Sequence, residues 1–129
     1  MSVTTIDDRA VAISIGEQYP ICKNNPADLY NCTRGLWKVD GERGDKARYA
    51  FAVFKGEIQE VYEISQWIPA NKESSDYWIK RLKDQGRLAK TEGRSGFVGE
   101  IAPENIRQKY IGKTLPRRHG GNPILYFNC

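Results

Sequence analysis

Between residues 48 and 64 the chain commits to a β-hairpin, and everything around it has to be built against that pair. Tyr49, Phe51 and Val53 alternate with Ala50, Ala52 and Phe54. Both faces of this first arm are therefore apolar, as expected for a strand with neighbours on each side rather than for an edge. Lys55-Gly56 supplies the turn, since glycine accepts the positive φ that tight hairpins need. The return arm, residues 57–64, carries Ile58, Tyr62 and Ile64 on one face and Glu57, Gln59, Val61 and Glu63 on the other, which predicts a half-exposed strand. It delivers Trp67, Ile68 and Pro69 just past its end.

The flanking segments predict an α+β, β-rich fold with one or two short helices. Residues 9–15 form an apolar run too short to fix its period, so strand and short helix both remain open. Residues 19–28, with two prolines and two adjacent asparagines, read as a loop, followed by a strand over 29–39 that Gly35 interrupts. Residues 41–45 read as a polar turn. A helix is expected over 74–85, capped by Ser74 or Ser75, with Tyr77, Trp78 and Leu82 on its apolar side and Gly86 as its stop. A strand over 96–101 precedes a two-turn helix over 103–110. There Pro103 suits the first position, Glu104 the positive end, and Ile106 and Tyr110 are four apart for packing. Gly112 can end that helix, and residues 123–128 close the chain as a strand.

A chain of 129 residues, 40% hydrophobic and 28% charged, fits a single globular domain. Residues 30–129 are expected to form its β-rich core, and 1–29 an N-terminal extension. No stretch approaches the roughly 20 apolar residues of a membrane span, and a start containing Asp7 and Asp8 is unlike a secretory signal. Cys22, Cys32 and Cys129, odd in number and widely spaced, fit reduced thiols in a cytoplasm better than a disulfide framework.

The formal net charge of +4 is moderate, and its placement says more than its size. Residues 79–94 hold Lys80, Arg81, Lys83, Arg87, Lys90 and Arg94 against Asp84 and Glu92, a pattern that fits a solvated face. The stretch from Arg107 to Asn122 is denser. Arg107, Lys109, Lys113, Arg117 and Arg118, with His119, Gln108 and Asn122, fall within sixteen residues that contain no acid. Cationic, glycine-bearing loops hold phosphates in many folds, whereas the structural alternative is a solvated turn whose glycines serve backbone geometry alone.

Motifs for catalysis are incomplete. Gly112-Lys113-Thr114 matches the end of a phosphate-binding P-loop, but Arg107 stands where that motif needs a glycine. Cys22, Cys32, His119 and Cys129 lack the close pair that nucleates a zinc site. His119 is the one histidine, and no spacing joins it to Cys32 or Cys129 as a nucleophile–base pair; paired-carboxylate chemistry at Glu60, Glu63 or Glu100 has no better support. No cofactor is implied, and the expectation is a protein without enzymatic activity.

A second grouping, Asn31-Cys32-Thr33-Arg34-Gly35-Leu36-Trp37-Lys38, sets an arginine and a tryptophan around a glycine within one strand-like segment. Arginine binds phosphate bidentately, tryptophan stacks on a base, and glycine permits close backbone approach. The structural alternative makes Trp37 a core residue and Arg34 the ion-pair partner of an acid such as Glu60. Trp67 reads in the same two ways, as a stacking platform or as a lid over the hairpin end.

Several stretches together carry a resemblance: Cys-Thr-Arg-Gly-x-Trp (32–37), Tyr-Ala-Phe-Ala-Val-Phe-x-Gly (49–56), Glu-Val-Tyr-Glu-Ile-x-x-Trp-x-Pro-Ala (60–70), Phe-x-Gly-x-Ile-Ala-Pro-Glu-x-Ile-Arg-x-Lys-Tyr-Ile-Gly-Lys (97–113) and Asn-Pro-Ile-x-Tyr-x-Asn-Cys (122–129). This pattern resembles an uncharacterised family of small bacterial and phage proteins, over residues 30–129. More distantly, the layout of strands, the hairpin followed by a tryptophan and the closing strand resemble PUA-like barrels, the group of EVE, ASCH and SRA-type readers of modified bases. That resemblance implies a small closed barrel with a base-binding pocket, pocket residues Arg34, Trp37 and Trp67, and the basic loop at its rim.

The resulting expectation is a binding protein for a nucleotide-like ligand or nucleic acid. Its site would comprise Thr33, Arg34, Trp37, Lys38, Trp67, Arg107, Lys109, Lys113, Arg117, Arg118, His119 and Asn122. Two alternatives use the same residues: a phage-type anti-defence protein that sequesters a free nucleotide signal, and an interaction protein whose basic loop docks on an acidic partner. The resemblance implies a bacterial cytoplasm, or that of a host if the protein is phage-encoded.

Overall fold

The computed structural model describes residues 6–15, 20, 23–34, 37, 41–69, 95–115 and 124–129. The elements in chain order are β1 (Ala10–Ser14), α1 (Pro26–Arg34), α2 (Gly41–Lys46), β2 (Tyr49–Phe54), β3 (Glu57–Pro69), β4 (Ser95–Ile101), α3 (Glu104–Tyr110) and β5 (Ile124–Phe127). The five strands form one mixed sheet in the order β4-β3-β2-β1-β5. β1 runs parallel to β2, while the other neighbouring pairs are antiparallel. The fold is thus α+β and strand-rich. Among the described residues the sheet is not closed into a barrel, and β4 and β5 lie at its edges.

The hairpin forms as its pattern demands. Lys55 and Gly56 both take positive φ, at 52° and 79°, the geometry of a primed turn whose twist matches the flanking strands. β2 is central, and the alternation of large and small residues divides the core. Tyr49, Phe51 and Val53 enter one cluster with Ala10, Ala12, Ile58, Val61 and Tyr110. Ala50 and Ala52 enter a second, on the other face, with Val11, Ile13, Leu29, Tyr62 and Phe97. α3 covers the first face through Ile106 and Tyr110. α1 covers the second, where the small side chains of Ala50 and Ala52 leave room for Leu29.

Two irregularities in β3 change what the sequence predicted for the return arm. Ala52 pairs with Glu60 but Val53 with Ile58, so Gln59 is an extra residue. A bulge of this kind resets the period-two alternation. Ile58 therefore shares a face with Val61, not with Tyr62 and Ile64 as strict alternation requires. Ser65 is extra in the same way between Ile64 and Gln66. The strand then continues to Pro69, which places Trp67 and Ile68 inside the sheet, paired with Phe97 and Gly96, rather than beyond the hairpin end.

Residues 29–34, expected to begin a strand, are helical. Asn25 Oδ1 accepts from the backbone N–H of Ala27 at 2.9 Å and of Asp28 at 3.3 Å, Pro26 opens the helix, and Asp28 sits in its first turn. Leu29 and Thr33, four apart, are both buried, which is helical rather than strand spacing. Residues 41–45, expected as a turn, lie within the short helix α2. The ambiguous run at 9–15 resolves as β1, an inner strand between β2 and β5, so part of the segment 1–29 belongs to the sheet itself. α3 starts one residue later than expected, with Pro103 as N-cap rather than first helical residue, and Gly112 lies at φ 84° beyond its end. The helix expected over 74–85 and the basic run 79–94 lie outside the described residues. Among the described residues, no helix is long and apolar enough to cross a membrane.

Candidate functional site

The second face of the sheet gathers an aromatic cluster around Phe97. Tyr30, on α1, lies 5.3 Å from Tyr62 and 6.0 Å from Phe97 between ring centroids, and Trp67 meets Phe97 edge-on at 5.4 Å. These are favourable tilted and T-shaped geometries. The Arg34 guanidinium stands 5.0 Å from the centroid of the Tyr30 ring, near enough for a cation–π contact. Arg34, Trp37 and Trp67, far apart in sequence, therefore share one face, as the pocket expectation requires.

Thr33, Trp37 and Trp67 also have structural contacts. Thr33 is fully buried and donates its hydroxyl to the Leu29 carbonyl at 2.7 Å, a helix back-bond that leaves it no access to a ligand. Trp37 donates its indole N–H to the Thr33 carbonyl at 2.7 Å, and its backbone exchanges two 2.9 Å hydrogen bonds with Ser95 at the outer edge of β4. The Trp67 indole lies against Gly44 of α2, and its buried Nε1 has no hydrogen-bond partner among the described residues. Arg34 does not pair with Glu60, which belongs to a different cation.

That cation is Arg107. It grips Glu60 with two bonds, Nε to Oε1 at 2.8 Å and a terminal nitrogen to Oε2 at 3.0 Å, while its other terminal nitrogen reaches Glu104 at 2.7 Å. The hydrogen bond to Glu60, followed by that to Glu104, holds the guanidinium above its ordinary pKa against the opposing effect of burial. Lys109 sits 3.2 Å from Asp8 and 3.5 Å from Asp7. The Tyr110 hydroxyl also donates to Asp8. Glu60 comes from β3, Asp7 and Asp8 from the segment before β1, and Glu104 from the first turn of α3 itself. The stretch that has no acid in sequence is neutralised in space at both positions.

Arg107 and Lys109 are also on the wrong side of the sheet for the expected pocket. α3 packs on the first face and α1 on the second, so the sheet separates them from Arg34, Trp37 and Trp67. Lys113 is exposed, and its carbonyl accepts from Ile58 N–H at 2.9 Å. Lys38, Arg117, Arg118, His119 and Asn122 lie outside the described residues. So does Cys22, while Cys32 and Cys129 are half-buried free thiols.

Sequence reasoning missed the concave feature of this face. Pro26, Ala27 and Tyr30 of α1, with Tyr62, Gly99, Glu100 and Ile101 of the sheet, wall a cleft of about 290 Å³. The helical phase of Pro26, Ala27 and Tyr30 was the available signal, hidden because the prolines and asparagines around it read as loop. Gly99 has no freedom to be another residue, since a Cβ there would collide with the Glu63 carbonyl. Ile101, on the cleft wall, is 45% exposed. No protein-family model, curated protein or solved structure matches this chain.

Proposed function

We propose that the protein is a non-enzymatic binding protein for a nucleotide-like ligand or a nucleic acid, and that its site is the α1-bearing face of the sheet. The supporting observation is the convergence of Arg34, Trp37 and Trp67 on that face, beside the Tyr30–Tyr62–Phe97 cluster and its cleft. An arginine among aromatic rings suits a ligand that is part flat heterocycle and part phosphate. Arg107 and Lys109 leave the proposed site, because their charge is spent on Glu60, Glu104, Asp7 and Asp8. The PUA-like layout enters the proposal only as a β-rich scaffold for a base; closing a barrel would need pairing between β4 and β5 through chain outside the described residues.

Titration of tryptophan fluorescence with mononucleotides, cyclic dinucleotides, adenosine-diphosphate-ribose derivatives and short oligonucleotides tests this reading. Arg34→Ala should weaken binding by about 1.5–3 kcal/mol, as expected for a charged hydrogen bond. Trp37→Leu and Trp67→Leu should weaken it by about 1–3 kcal/mol if the rings stack on a base. Tight binding of a free nucleotide, with oligonucleotides excluded, would mark a sequestering protein; preference for the polymer would mark a reader. If no ligand perturbs the signal and the variants only melt earlier, the face is core and the proposal falls.

A further inference from the structure

Ser95, Phe97, Gly99 and Ile101 share one phase along the outer edge of β4: Ser95 and Gly99 are bonded, Phe97 is fully buried, and Ile101 is exposed. At Ser95 the Trp37 backbone uses both the N–H and the C=O, at 2.9 Å each. At Gly99 the Tyr30 hydroxyl does the same, accepting from the N–H at 2.9 Å and donating to the C=O at 3.0 Å. The register places Ile101 in the same phase. Ala102 N–H donates to the Val61 carbonyl at 3.1 Å, so the next pair, Tyr62 with Ile101, exchanges no bonds across the ladder. The N–H and C=O of Ile101 therefore point outward, beside the apolar cleft, with no partner among the described residues.

One free donor–acceptor pair at the lip of an apolar cleft selects between occupants. An added peptide strand needs such a pair at every second residue. Here Gly99 and Ser95 are already bonded, Phe97 between them is fully buried, and beyond Ile101 the chain leaves the sheet through Pro103, which has no N–H to offer. A planar heterocycle needs only one pair and apolar walls. The edge of a nucleobase that pairs with another base sets a hydrogen-bond donor beside an acceptor, the complement of one extended residue's N–H and C=O.

We propose that the cleft between α1 and the β4 edge receives an unpaired nucleobase, which stacks among Tyr30, Pro26 and Ile101 and is read through its base-pairing edge by the Ile101 backbone. This rests on the nucleotide reading above and specifies it. Because the pairing edge must be free, the site takes single strands or free nucleotides and rejects duplexes. The Arg34 guanidinium stands 5.0 Å from the centroid of the Tyr30 ring that walls the cleft.

Two independent probes test the cleft, one on the protein and one on the ligand. Ala27 is exposed in the first turn of α1 and lines the cleft, so Ala27→Phe fills the space without entering the core, and Ala27→Ser is its control. Binding of AMP, UMP, a short single-stranded oligonucleotide and its duplex is measured on wild type and both variants, together with N6,N6-dimethyl-AMP and 3-methyl-UMP, whose pairing edges are blocked. Ala27→Phe should weaken single-strand and nucleotide binding by roughly tenfold or more, the Ser variant should match wild type, and each methylated nucleotide should lose a similar factor. The methylated ligands report on wild-type protein even if the Phe variant fails to fold. Binding that ignores both methylation and Ala27→Phe, or duplex affinity equal to that of the single strand, overturns the cleft while leaving the nucleotide reading intact. No binding of any probe to wild type overturns both.

Discussion

The Tyr30 hydroxyl occupies both backbone groups of Gly99, accepting from its N–H at 2.9 Å and donating to its C=O at 3.0 Å. A side chain on α1 thus takes the place of a neighbouring strand at one position of β4. Exposed strand edges invite pairing with other chains, and covering them is a recurrent defence. Tyr30→Phe keeps the ring and its contacts with Tyr62 and Phe97 but frees both groups. The variant should lose about 1–3 kcal/mol of stability and show concentration-dependent self-association in sedimentation experiments. An unchanged melting temperature would mean that water serves Gly99 as well as the phenol does.

Three glycines should respond differently to alanine. Gly99→Ala drives a Cβ into the Glu63 carbonyl, which only separation of β3 from β4 relieves, so a loss above about 3 kcal/mol is expected. Gly56→Ala meets no neighbour but forces a side chain onto φ 79°, at a cost of about 1–2 kcal/mol. Gly44→Ala places its Cβ 3.5 Å from the Trp67 indole, an ordinary contact, inside helix α2; it should stabilise by about 0.5–1 kcal/mol. Denaturant midpoints of the three variants check the order.

Arg107 and Glu60 are 29% and 14% exposed and joined by two hydrogen bonds. Glu60→Gln should lower stability by about 1.5–3 kcal/mol, because it leaves a half-buried guanidinium short of its counter-charge. The same argument makes Arg107 irrelevant to an anionic ligand. Arg107→Ala should leave the salt dependence of nucleic-acid binding unchanged, whereas removing a cation that touches phosphate lowers the slope by roughly 0.7–0.9. A reduced slope in the Arg107 variant would return α3 to the binding surface.

The pair Asp8–Tyr110 sets opposite pH limits. The Tyr110 hydrogen bond, and then Lys109, hold the Asp8 carboxyl below the ordinary aspartate range although burial pushes it up. A carboxyl with a depressed folded pKa stabilises fully above its unfolded value, near pH 4, and that stabilisation disappears as pH falls through the folded value. Tyr110 is raised, first by burial and then by Asp8. Its contribution is complete below the unfolded tyrosine value, near pH 10, and is lost as pH rises through the folded one. Melting temperatures followed through both limbs should show a shallower acid limb for Asp8→Asn and a shallower alkaline limb for Tyr110→Phe. Limbs that match wild type would assign the titration to other groups.

The hairpin was readable because its information is local: alternating residues and a Lys-Gly turn fix two strands without reference to anything distant. The helix α1 was misread although its signals were local too. Asn25-Pro26 looks like loop punctuation, yet an asparagine followed by proline is also a helix start, and only the burial of Leu29 and Thr33 decides between them. The extra residues Gln59 and Ser65 left no trace in composition, because a bulge is defined by the opposing strand. The basic stretch misled for a related reason. Arg107 meets its carboxylate 47 positions earlier in the chain, so a window free of acids says nothing about the charge in space. Of the site, the joint presence of Arg34, Trp37 and Trp67 on one face was foreseeable, and the cleft beside them was not.

β1 is held on one side by β2 and on the other by β5, and the thiol of Cys129 approaches the Ala10 carbonyl across 119 positions of sequence. During synthesis the hairpin can assemble as soon as its own residues emerge, but β1 must wait with one flank bare until the final strand arrives. The interior strand β1 is therefore made before the hairpin it pairs with and enclosed only after it, which places a slow, long-range step of assembly between β1 and β5 and leaves β1 a transient pairing edge until Ile124–Phe127 arrives.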